Sequence, residues 1–139
     1  MSIVQTQTTS FKAELYQGIH VLTTDVIKIA LYTANANLNA DTTVYSSLNE
    51  ASGGNYVGGG AILTPVTVSL SLSDATAYVG FPNYSWTGTI TARCALIYNS
   101  SKGDKSIAVL DFGSDKTQTN FTITMPLNTS TTALIRSSY

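Results

Sequence analysis

The stretch PVTVSLSLS, residues 65–73, changes polarity at every step. Val66, Val68, Leu70 and Leu72 share one side of an extended chain, and Thr67, Ser69, Ser71 and Ser73 share the other. A period of two is the mark of a strand that shows one side to a core and the other to water.

Outward from this stretch the pattern recurs. VIKIALYT (26–33) puts Ile27, Ile29 and Leu31 on one face and Lys28 on the other, which predicts a half-buried strand. ATAYVGF (75–81), TITARCALIYN (89–99), SIAVLDF (106–112), FTITM (121–125) and TALIR (132–136) are further strand candidates, separated by turn clusters such as NSSKGD and GSDKTQTN. The second half has no crossover helices. About seven to eight short strands of this kind predict an all-β chain, an antiparallel β-sandwich or barrel. One short helix is expected near the start, in SFKAELYQG: Ser10 could cap it, Phe11 and Leu15 share a face, and Gly18 could end it.

The chain has 139 residues, the size of one ordinary domain. Residues 1–9, MSIVQTQTT, read as a flexible or partner-bound arm, and 10–139 as a single β domain. Net charge is −1 and only 11% of residues are charged, against about 25% in a typical soluble domain. Thr, Ser and Asn, 46 residues together, fill the gap and predict a nearly neutral, hydroxyl-rich surface. The seven cations are scattered, so neither a nucleic-acid footprint nor an anionic-membrane patch is visible. No apolar run approaches the roughly 18 residues of a membrane span. The single Cys94 cannot form an intramolecular disulfide, and no signal-peptide pattern opens the chain, so synthesis in a cytoplasm is expected.

Residues 34–60 break the rhythm with 27 residues of little periodicity. Loops longer than about 12–15 residues are usually functional or disordered. Tyr45 and Tyr56 suggest that this one folds against something.

Several motifs invite chemistry. Asp111-Phe112-Gly113 matches the magnesium-binding tripeptide of protein kinases, but His20 is the only histidine and no H-R-D loop exists, so that reading fails. Asp111 is better read as closing a strand and accepting hydrogen bonds from the turn at Gly113. Gly53 and Gly58 have phosphate-loop spacing, yet Gly59 stands where the lysine belongs and a strand follows where a helix is required. Positive-φ glycines approaching the strand at Ala61 are the stronger explanation. Cys94 shares an alternating face with Ile90, Ala92 and Leu96 and reads as a small buried hydrophobe. His20, without a second His nearby, reads as a packed or surface imidazole. Asp104, Asp111 and Asp115 could be considered as a glycosidase pair, but solvated loop acids are the ordinary expectation. The four N-x-[ST] matches, at Asn83, Asn99, Asn120 and Asn128, carry no weight in a chain so rich in these residues. No catalytic residue, metal or cofactor is expected. What remains is surface: Phe81, Pro82, Tyr84 and Trp86 form an aromatic segment, either an interface anchor or a plug at one end of the core.

ALYTANANLNADTTVYSSLNEASGGNYVGGG (30–60) and TITARCALIYNSSKGDKSIAVLDFGSDKT (89–117) resemble small virion structural proteins of tailed bacteriophages. The resemblance implies a non-enzymatic, homo-oligomeric capsid decoration or cement protein that binds the outer surface of the major capsid protein lattice, in a virion made in a bacterial host. It implies structural roles for Tyr32, Asn49, Glu50, Tyr98, Asp111 and Gly113. A tail, neck or head-fibre component is the alternative within the same class. From a different class, a carbohydrate-binding module could use Trp86, Tyr84 and Tyr56 as stacking platforms; a hydrolase is retained only as a control. Val4, Gln5, Tyr45, Tyr56, Tyr84 and Trp86 are the possible interface residues. Neither nucleic acid nor membrane is expected as a partner.

Overall fold

The computed structural model describes residues 3–138. It is an all-β fold with one short helix, built from ten strands among those residues. β1 is Thr6–Gln7, α1 Thr9–Tyr16, β2 Ile27–Tyr32, β3 Ala61–Ile62, β4 Thr67–Ser71 and β5 Thr76–Gly80. β6 is Tyr84–Ser85, β7 Thr89–Asn99, β8 Lys105–Thr119, β9 Thr122–Ile123 and β10 Ile135–Ser138. They form antiparallel sheets in the orders β1-β8-β7-β2-β3, β10-β5-β4 and β6-β9.

The large sheet is the middle layer. On one face, Ile27, Ile29 and Leu31 of β2, Ala95 and Ile97 of β7, and Leu110 of β8 pack with Phe11 of α1, Val79 of β5, Ile135 of β10 and Trp86. On the other, Ala30, Tyr32, Cys94, Leu96, Tyr98 and Val109 are roofed by Ala36, Leu38 and Tyr45 from the long loop and by Ile3. β2 is therefore buried on both faces and not half-buried: its alternation holds, but the 34–60 segment supplies a second layer. Each fully buried Ile or Leu here contributes about 1.5–3 kcal/mol.

β7 and β8 form the spine. Their connection, Ser100–Asp104, is tight because Asn99 accepts a hydrogen bond from the Ser101 N–H (3.1 Å) and Gly103 and Asp104 adopt left-handed φ of 68° and 59°. The expected second turn, GSDKTQTN, is instead a bulged continuation of β8, which runs to Thr119. Between the pairs Cys94↔Asp111 and Ala92↔Lys116, β8 spends five steps where β7 spends two. This irregularity reverses the faces. Ile90 and Ala92 belong to one cluster while Cys94 and Leu96 belong to the other, so the single face assigned to these four residues from alternation is corrected. A second irregularity opposite Ile97 and Tyr98 likewise puts Ile107 and Val109 on different sides.

The N-terminal arm is also corrected over its described part. Thr6 and Gln7 pair with Val109 and Ala108, adding β1 to the edge of the protein's own large sheet, and Ile3 bridges Leu38. Residues 1 and 2 lie outside the described residues. The helix is capped two residues before the expected Ser10: buried Thr8 accepts from the Phe11 N–H (3.3 Å) through Oγ1 and receives the Ser106 hydroxyl (2.9 Å). Gly18 follows the helix at φ 71°.

Candidate interaction surface

The long loop is fastened by one carboxylate. The Tyr45 hydroxyl donates to Glu50 Oε1 (2.6 Å), while the Tyr56 hydroxyl and the Gly59 N–H (2.8 Å) donate to Oε2. Around them, the Tyr32 hydroxyl donates to the Ser46 carbonyl (2.7 Å), the Tyr98 hydroxyl to the Gly59 carbonyl (2.5 Å), and Tyr45 stacks on Tyr98 at 4.8 Å. Burial pushes all four phenols up, Tyr98 to about 12, and the Glu50 charge adds to the effect. They stay protonated donors at neutral pH, and both carboxylate oxygens are taken. The cluster is a clasp, and a groove of about 370 Å3 lined by Tyr32, Leu38, Ser46 and Leu48 opens beside it.

The glycine run is pressed against backbone. A Cβ on Gly54 would lie 2.3 Å from the Thr87 carbonyl oxygen, and one on Gly60 would lie 1.8 Å from that of Ile29. Both residues have positive φ, 48° and 84°. This is the close approach to Ala61 expected from the sequence, made by Gly53, Gly54 and Gly60, while Gly58 has open space around it.

The remaining chemical candidates are likewise engaged internally. His20 Nδ1 faces the Asn99 amide (3.0 Å), which can only donate to it, so the ring proton sits on Nε2 and is donated to Glu14 Oε1 (2.8 Å). Asn99 Nδ2 also donates to Asp25 (2.8 Å), which accepts from Lys102 (3.0 Å) and the Val21 N–H (2.9 Å). Burial opposes the Asp25 charge, but these donors outweigh it and lower its pKa below the ordinary 3.8. Cys94 is buried, and burial together with the Asp111 charge pushes its thiol up to about 12. Asp111 accepts from the Gly113 N–H (2.8 Å), with Gly113 at φ 84°: the carboxylate organises the backbone as expected, but inside a bulge. Among the described residues, no three His, Cys, Asp or Glu side chains converge as metal ligands.

The residues singled out as a possible interface divide. Trp86 is 2% exposed, with Tyr56 and Tyr84 tilted against it at 5.6 and 4.7 Å, so it plugs the core and offers no open stacking platform. Tyr45 and Tyr56 serve the clasp. Val4 is exposed, and Gln5 accepts from the Asp111 N–H (3.1 Å) beside β1.

The surface that residue-by-residue reading missed is apolar. Val68, Leu70 and Leu72 are 52%, 65% and 87% exposed, although their alternation had assigned them to a core. Val44, Leu48 and Val57 stand outward from the clasped loop. Nothing in the residue types signalled this, since the same alternation fits a covered face and an open one. A groove of about 480 Å3 lies between the end of β8 and residues 121–126 and is lined by Phe112, Phe121 and Met125 among others. No helix among the described residues is long and apolar enough to cross a membrane.

Compared with known proteins, the chain matches no family model, no curated protein and no solved structure.

Proposed function

We propose that this chain is a non-enzymatic structural protein of a bacteriophage virion, which binds the outer surface of the capsid lattice and stabilises it as a cement protein. The observation that carries the reading is the long loop: it is held in one shape by Glu50 and its tyrosines, yet turns Val44, Leu48 and Val57 to solvent. A pre-ordered apolar surface loses little entropy on docking. The nearly neutral, hydroxyl-rich exterior suits many copies packed side by side without charge repulsion. The resemblance of residues 30–60 and 89–117 to virion proteins supplies the setting. A subunit that binds only the assembled lattice stabilises it by mass action, about 1.4 kcal/mol per site for each tenfold excess over its dissociation constant.

Labelling the protein in intact particles tests the assignment. Copies spread over the whole head are expected; copies confined to one vertex would instead make it a neck or tail component. Particles lacking the protein should rupture at lower temperature, and adding back Leu48→Asp protein should restore them less well than wild type. Equal resistance of depleted and complete particles to heat and osmotic shock overturns the cement reading.

A further inference from the structure

β4 is the longest strand at an open edge of the two larger sheets, five residues against two in β1, two in β3 and four in β10. Among the described residues its outer side meets no other strand. Edges of this kind are ordinarily blunted by a lysine, a proline or a bulge. TVSLS has no charge and no proline, and it pairs with β5 without a register shift. Its exposed side chains Val68 and Leu70 share a face with Val79 and Ala77, and Val68 lines an apolar crevice of about 250 Å3 bounded by Leu15, Leu22 and Ile135.

The strand is also complementary to itself. Turned antiparallel about Ser69, Val68 falls opposite Leu70 of a second copy and Thr67 opposite Ser71. Directly opposed residues point to the same face. Apolar side chains of both copies therefore line one side of the joint and hydroxyls the other. None of the five residues of β4 is charged, so no like charges meet in the joint.

We propose that two copies of this chain pair antiparallel through their β4 strands about Ser69, joining two three-stranded sheets edge to edge into one. A second copy brings an equally open, uncharged edge, so each β4 satisfies the other's unpaired main-chain groups and both open edges are removed at once; an unrelated extended peptide would cover only one. The joint is isologous, so it closes at two copies and leaves the clasped loop free. The inference is drawn from the sheet edge alone and is independent of the capsid reading.

Sedimentation velocity of the purified full chain over a concentration series should show a monomer–dimer equilibrium. Ser69 lies on the two-fold axis and meets its own copy. Ser69→Lys and Ser69→Asp should each raise the dissociation constant about tenfold or more, since like charges then face each other. An equimolar mixture of the two variants should restore dimers. Circular dichroism of each variant, unchanged from wild type, separates loss of pairing from loss of fold. A wild-type chain that is monomeric throughout the series overturns the proposal, as does a dimer indifferent to both charges. Binding of the charged variants to depleted capsids reports on the cement reading separately, since that reading places lattice contact on the long loop.

Discussion

β7 and β4 are both strands, and their sequences mislead in opposite directions. TITARCALIYN loses its alternation after Ala92, yet every residue from Cys94 to Asn99 is buried. TVSLS alternates without fault, and none of its residues is fully buried. Alternation records that the two faces of a strand differ; it does not say that the apolar one is covered within the same chain. A continuous apolar run carries the stronger message, because it is tolerated only where two layers sandwich the strand. β7 has both layers, one from α1 and the small sheet and one from the long loop.

The comparison breaks most severely at Gly60, which holds the long loop against β2. Gly60→Ala must move the Ile29 carbonyl or the loop, and is expected to cost about 4 kcal/mol or more, measured by urea unfolding. A variant melting within a few degrees of wild type would mean that the loop does not lie where the second layer requires. Next, Ile97→Ala in β7 should cost about 2–5 kcal/mol, whereas Leu70→Ala in β4, measured at a dilution where the chain is monomeric, should stay within about 0.5 kcal/mol. Equal losses at the two positions would erase the distinction between the sheets.

The clasp is tested by Glu50→Gln, which turns an amide N–H toward buried hydroxyl donors. A loss of about 1–3 kcal/mol is expected, with faster proteolysis within residues 34–60. Gly113→Val probes the bulge. At φ 84° with nothing within 4 Å of an added Cβ, the cost is backbone strain alone, about 1–2 kcal/mol, and Asp111→Asn should cost less. A modest, pH-dependent effect belongs to Asp25. Because its pKa is lower folded than unfolded, its contribution is fully present above pH 3.8 and disappears as pH falls through the folded value. Asp25→Asn should cost about 1 kcal/mol at neutral pH and flatten the acid limb of the stability profile; an unchanged acid limb would assign that limb to other carboxylates.

Much of this architecture was legible. The ends of β7 fall where the turn residues put them, at Thr89 and Asn99, and the helix, the Asn99–Asp104 connection and the glycine approach to Ala61 follow from local stereochemistry. Asp111 and Gly113 interact as their spacing implied, since an Asp side chain reaches the N–H two residues on. The extra residues in β8 were misread: Gly113 at positive φ marks them, but a glycine beside Ser and Asp is the same signal whether the chain turns or only bulges. Illegible was Glu50 as the centre of the long loop, since the tyrosines that hold it come from five and six residues away through a non-repeating fold.

Read alone, the residues specify antiparallel strands over β2, β4, β5, β7 and β9 to within about two residues, and positive-φ glycines before Ala61, because these follow from period-two patterning and backbone sterics within a few residues. Long-range packing sets which faces are covered, that the first strand closes on the protein's own sheet, that Trp86 points inward, and that the apolar side of PVTVSLSLS, the clearest strand pattern in the chain, overhangs the core and stays largely uncovered. Burial depends on what arrives from elsewhere in the chain, and that is settled by the packing of distant segments.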